Sequence, residues 1–186
     1  MKKLVLIWTL AIAGITTAKA AFRPIHNDVF WDTVDGRPIY SQGGGIFRFV
    51  NPETGRKQYY WYGVRYQEAA LYRAQPYQEL NTGCRFEAVT CYVSDNLADW
   101  TEAGDVLTSR EVESHAAPTW VGRMGVAYIA EKQLYALFIQ HGDGVLIATS
   151  SSPNGPFRWY RRKVMTPLIG TPNTGDQTVF TDEDTG

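Results

Sequence analysis

Two cysteines, three histidines and three aspartates near the C-terminal end are the side chains of this 186-residue chain whose types most readily do chemistry. Cys84 and Cys91 lie seven apart, so in an oxidising compartment a disulfide between them would close a short loop. Cys91 also sits in the apolar alternation Val89, Cys91, Val93, where a buried thiol is the other reading. Two cysteines without a histidine at ligand spacing make no zinc site. His26 and His115 have no sequence partner that suggests catalysis, whereas His141 ends an apolar run. Asp176, Asp182 and Asp184 read, by position alone, as strand-start or turn residues. The chain has no glycine-rich phosphate loop, nucleophilic triad or metal-ligand cluster, and no cofactor is expected. A net charge of -1 supplies no field for nucleic acid or an anionic membrane surface.

The elements that must position these residues are short. β-branched and aromatic runs alternate with turn residues and almost no segment has a helical period, so the chain reads as all-β. Gly44 to Val50 and Gln58 to Val64 flank the turn Asn51-Pro52-Glu53-Thr54-Gly55 as a hairpin. Ala88 to Val93 follows, with Trp100 as an aromatic stop. A second hairpin joins Gly125 to Ile129 with Leu134 to Gln140, and Gly144 to Thr149 and Phe157 to Tyr160 complete that unit. The polar, Tyr-rich stretch from Arg65 to Arg85 reads as a long loop. Val89 and Ser94 recur as Val145 and Ser150, and Trp100 recurs as Trp159, so the strand order repeats. A third unit begins at Asp176-Gln177-Thr178-Val179-Phe180. Units of three or four antiparallel strands recurring every ~40–50 residues are the signature of β-propeller blades; a β-sandwich is the competing architecture. The chain holds two such blades and the start of a third, fewer than closure needs.

The first residues read as an address. Lys2 and Lys3 precede the apolar run Leu4 to Ile15, and Ala18-Lys19-Ala20 gives a small-x-small cleavage pattern. The run is too short to span a bilayer, which takes about 20 residues. Residues 1–20 are therefore expected to be a signal peptide, with 21–186 a partial propeller domain that is periplasmic or secreted and not inserted in a membrane.

Four stretches in order carry a family resemblance. They are Val29-Phe30-Trp31 through Gly43-Gly44-Gly45 to Tyr59-Tyr60-Trp61-Tyr62-Gly63; Val89-Thr90-Cys91-Tyr92 with Ser94, Leu97 and Trp100; Val145 to Ser150 with Ser152-Pro153, Gly155-Pro156-Phe157; and Gly175-Asp176-Gln177-Thr178-Val179-Phe180 with Asp182, Asp184 and Gly186. Together they resemble glycoside hydrolase family 43, in its exo-β-1,3-galactanase and galactosidase-like branch. The resemblance implies a five-bladed β-propeller, of which this chain carries about the first half. It also implies inverting hydrolysis of galactose- or arabinose-containing plant polysaccharide, in which one carboxyl protonates the leaving oxygen and a second group activates water.

The resemblance assigns Asp176 the role of the carboxylate that orients the acid and tunes its pKa. The wider family's base would fall on Gly43, which cannot take a proton, and the acid glutamate belongs to a later blade. This chain is therefore expected to be an inactive fragment. Where galactanase-like members carry a Glu-Arg-Pro run, it reads Gly122-Arg123-Met124, keeping the arginine, which could hold a sugar hydroxyl or pair with Asp176. Gln42, His141 and Gln177 at strand ends could hydrogen-bond a sugar, and Trp31 could wall a pocket. The 25 aromatic residues suit a sugar site, since pyranose faces stack on such rings, although most must be core. The alternative is a non-catalytic carbohydrate-binding propeller. A sialidase-like propeller is disfavoured because Ser94 to Trp100 lacks the Ser-x-Asp-x-Gly-x-x-Trp turn.

Overall fold

The computed structural model describes residues 24–77 and 83–182. The expected signal peptide lies outside the described residues. Among those described, no helix is long and apolar enough to cross a membrane.

Among the described residues, eight strands form two four-stranded antiparallel meanders. The first holds β1 (Gln42–Val50), β2 (Lys57–Tyr66), β3 (Phe86–Ser94) and β4 (Thr101–Thr108); the second holds β5 (Val121–Ile129), β6 (Leu134–His141), β7 (Gly144–Ser150) and β8 (Arg158–Val164). The described residues also form three short α-helices, α1 (Ala69–Ala74), α2 (Ser109–Glu113) and, after β8, α3 (Thr166–Ile169). The hairpins expected from sequence are present, with Phe47 opposite Tyr60 and Val126 opposite Leu137.

Period-2 patterning decides which faces meet. Tyr60, Tyr62 and Val64 alternate along β2, and Leu137 and Ile139 along β6; all are buried in one cluster with Val89, Cys91, Leu146 and Ala148. This seam is stitched by polar contacts. The Tyr62 hydroxyl donates to the Pro153 carbonyl, and Phe157 N–H donates to Val106 O at 2.7 Å. Alternate residues of the first sheet point the other way. There Trp61, Tyr92 and Trp100 pack with Trp31 and Ile39 of the preceding segment in a second, smaller cluster. That segment is pinned by Val34 N–H to Trp100 O at 2.9 Å and by Thr90 Oγ1 to Tyr40 O at 2.8 Å.

Two expectations change, the loop after Arg65 and the strand at 176–180, and two open readings close, the number of strands per unit and the state of the cysteines. Thr101–Thr108 is a fourth strand, tied to β2 through Arg65, whose guanidinium binds Asp105 at 2.8 and 2.7 Å and Glu87 at 2.8 Å. The stretch after Arg65 contains α1 rather than loop alone. Residues 176–180 join no strand ladder among the described residues; the segment runs beside β5, where Val179 rests over Gly125. Cys84 and Cys91 are not joined. Cys91 is wholly buried in β3, and burial raises its thiol pKa well above the usual range.

Candidate functional site

The first strands of the two sheets, β1 and β5, lie against each other and share an irregularity. Gln42 pairs with Val64 and Gly45 with Tyr62, so β1 carries one extra residue there; Val121 with His141 and Met124 with Ile139 put the same bulge at the start of β5. Gly43, inside the first bulge, has φ +67°, a left-handed conformation that glycine adopts without a Cβ penalty. Gly44 is closer still: a Cβ there would stand 1.7 Å from the Tyr62 carbonyl oxygen. Both bulges lie where their strands begin, and the end of the molecule they share is the mouth. Tyr66 at the end of β2 bridges the sheets there, its hydroxyl donating to Val121 O at 2.6 Å.

Three sequence-predicted residues meet at this mouth. Arg123 Nε lies 3.1 Å from Asp176 Oδ1, and the Gln177 side-chain amide donates to Arg123 O at 3.2 Å. Gly43 faces the same guanidinium: a Cβ built on it would be 3.5 Å from Arg123 Cδ and Nη1. The Asp176 side chain is 72% exposed, so the pair contributes little to stability. Its consequence is orientation. It holds a carboxylate and a planar five-donor guanidinium at the edge of solvent, where both can meet the hydroxyls of a ligand.

Gln42 and His141 line a neighbouring cleft of about 1080 Å³, between the strand starts, α1 and the run Thr119–Val121. His141 is buried, and Arg162 Nε donates to its Nδ1 at 3.1 Å. Arg162 also bonds the His141 carbonyl at 2.9 Å and the Asp143 carboxylate. Burial and the adjacent guanidinium lower the His141 pKa below the usual histidine value. The hydrogen bond from Arg162 likewise holds Asp143 below the usual carboxylate range.

Trp31 is placed elsewhere. It packs edge-on against Trp61 at 5.7 Å in the smaller cluster, and its carbonyl accepts from Arg73 at 3.0 Å. Sequence reasoning missed the cleft's aromatic lining, Trp120, Tyr72 and Phe30, each exposed by 45–50%. One signal was available: Trp120 stands alone between polar and small residues just before the second bulge. No group of three or more His, Cys, Asp and Glu able to hold a metal occurs among the described residues.

No family model matches the chain, and no curated protein matches it in sequence. Solved structures do match. A family 43 β-1,3-galactosidase solved with galactodeoxynojirimycin superposes with a TM-score of 0.56 at 25% identity, covering 74% of this chain and 38% of that one. The exo-β-1,3-galactanase of Clostridium thermocellum gives 0.55 at 24% identity, over 74% and 27%. That of Phanerochaete chrysosporium, solved with β-1,3-galactotriose, gives 0.54 at 22% identity, over 73% and 29%. The chain thus spans 27–38% of the length of these three structures. Its two bulged sheets, meeting at one seam, are similar to part of the fold of glycoside hydrolase family 43, in its β-1,3-galactosidase and exo-β-1,3-galactanase branch.

Proposed function

We propose that this chain is part of an exported, five-bladed β-propeller glycoside hydrolase that acts on galactan- or arabinogalactan-type polysaccharide with inversion at the cleaved bond. In this reading the two sheets are two blades, β1 and β5 are their inner strands, and residues 176–180 begin the inner strand of a third. The observation that carries it is the Arg123–Asp176 pair beside Gly43, at the mouth where both inner strands are bulged. Asp176 orients and electrostatically tunes an acid, while Arg123 and Gln177 hold sugar hydroxyls. Inversion needs an acid and a water-activating group about 6.5–9.5 Å apart. Neither Arg123 nor Gln177 nor Gly43 carries a carboxyl, so those two roles fall to residues outside this set. The chain alone then binds galactose units without turning them over.

The non-catalytic reading keeps one specific support, glycine rather than a carboxylate at residue 43. Export rests on the Lys2-Lys3 start and the Ala18-Lys19-Ala20 pattern, and intact mass of periplasmic protein tests it: a mature chain beginning at Ala21 is expected, and an unprocessed Met1 terminus overturns it.

The functional test pairs hydrolysis with binding. The purified chain is incubated with nitrophenyl β-galactoside and β-1,3-galactan, and titrated with galactose. No release of nitrophenol, together with galactose binding abolished by Arg123→Ala and weakened by Asp176→Asn, is expected. Turnover at an ordinary enzymatic rate would place an acid and a base among the residues here and refute the division of labour.

A further inference from the structure

The net charge of -1 hides an uneven distribution. Between Asp143 and Asp176 the chain has no carboxylate, and within that stretch Arg158, Arg161, Arg162 and Lys163 crowd into β8. Two of these cations are engaged inside the fold. Arg158 pairs with Glu111 at 3.0 Å, and Arg162 binds the His141 carbonyl and the Asp143 carboxylate. Arg161 and Lys163 make no ion pair among the described residues. They stand opposite Ile147 and Val145, so both project from the same side of the sheet. β8 is the strand farthest from β5 in its sheet, so the two cations form a rim rather than the middle of a face.

Aliphatic surface adjoins that rim. β8 ends at Val164, and Met165 N–H donates to Asp143 O at 3.2 Å, where the chain turns straight into α3. Leu168 and Ile169 N–H both donate to Met165 O, at 2.8 and 3.1 Å, and Gly170 at φ +74° ends the helix. The apolar side chains there find no core: Leu168 is 66% exposed, and Ile169 and Val164 are exposed as well. Tyr160, in the irregularity of β8 between Trp159 and Arg161, is 64% exposed. Cations on an edge strand guard it against pairing with another chain. That role does not call for exposed leucine, isoleucine and valine beside them.

Exposed aliphatics, a tyrosine and two unpaired cations match the boundary of an anionic bilayer. The apolar groups enter the headgroup layer, the phenol ring lies at its level and the cations meet phosphate. The two carboxylates bound to this strand, Asp143 and Glu111, are matched by Arg162 and Arg158, so neither opposes a negative surface. A carboxylated polysaccharide would use the cations but gain little from Leu168 and Ile169. We infer that residues 160–169 are a peripheral docking surface for an anionic phospholipid membrane, which holds the protein at the lipid surface without spanning it. This does not depend on what the mouth binds.

The test uses the chain from Ala21, the exported form proposed above, because residues 1–20 carry an apolar run and lysines of their own. It is sedimented with vesicles of phosphatidylcholine alone and of phosphatidylcholine with an equal part of phosphatidylglycerol. Binding to the anionic vesicles is expected to be about tenfold stronger or more, and to fall as salt rises. Arg161→Ser combined with Lys163→Ser removes most of that preference, at about fivefold per cation. Leu168→Ser lowers binding to the anionic vesicles about tenfold. Lys132→Ser, the same charge change at the opposite end of the sheet, leaves it unchanged. All these side chains are exposed, so the variants keep the wild-type melting temperature. Equal binding to both vesicles overturns the inference, as does anionic binding that survives the double variant or is untouched by Leu168→Ser. Retention by polygalacturonate without vesicle binding also overturns it, and makes the strip a site for a carboxylated polymer.

Discussion

The two sheets share one strand order yet differ in what covers their outer faces. In the first, Trp61, Tyr92 and Trp100 are covered by the preceding segment through Trp31 and Ile39, and Trp100 keeps 1% of its surface. In the second, the corresponding face presents Phe138, Val145 and Ile147, all half-buried, and Val179 of the following segment rests over Gly125. The inner faces do not differ in this way, because each sheet buries the other along the shared seam. The stability of the first sheet therefore draws on two apolar layers, that of the second mainly on one. In the proposed propeller the second sheet's outer face is where a further blade packs. The mouth sits at the seam's edge, so its geometry depends on the well-covered side for rigidity and on the 176–180 segment for its carboxylate.

The largest expected effect breaks the comparison at its strongest point. Trp100→Ala should cost about 3–5 kcal/mol in denaturant unfolding, since the ring is fully buried in a cluster that cannot collapse around its loss. A cost below about 1 kcal/mol would show that the preceding segment is not a structural cover. Next is Arg65→Gln, which removes the clamp on Glu87 and Asp105 across β2, β3 and β4; about 1.5–3 kcal/mol is expected in the same assay. Phe138→Ala, on the half-open face, should cost only about 1 kcal/mol. A loss as large as that of Trp100→Ala would mean that both outer faces are equally covered.

The smallest effect is a pH dependence confined to the second sheet. Burial and Arg162 depress the folded pKa of His141, so the unfolded chain binds the proton first as pH falls. Stability is full above the ordinary histidine value of about 6.5 and is lost as pH drops through the lower folded value. Asp143, also depressed by Arg162, adds a second loss at more acid pH. Thermal melts of wild type and His141→Gln between pH 7.5 and 5 check this: the wild-type decline below pH 6.5 should shrink in the variant. Parallel curves would remove His141 as its source.

Much of this was legible because strands announce themselves by alternation. Tyr60, Tyr62 and Val64, or Leu137 and Ile139, state both the element and its buried face. β4 was not legible because Thr101-Glu102-Ala103-Gly104-Asp105 carries no apolar alternation; an edge strand buries only Val106 and Leu107. α1 spans six residues, too few for a helical period to register. Residues 176–180 have strand composition but form no ladder with β5 beside them, and pairing is a property of the partner as much as of the segment. At the site, Arg123 and Asp176 were each visible, and their meeting was one of two readings that only geometry separates. The place of Trp120 in the cleft lining was hidden because its cause is a space, the missing Cβ of Gly122.

The central claim is that the mouth formed by Gly43, Arg123 and Asp176 binds a galactose unit. The most direct measurement is calorimetric titration of the purified chain with galactose and, separately, glucose, for wild type and Arg123→Ala. Saturable galactose binding, at least about tenfold tighter than glucose and lost in the variant, is the predicted result. Equal affinity for the two sugars, or galactose binding that survives Arg123→Ala, would contradict it.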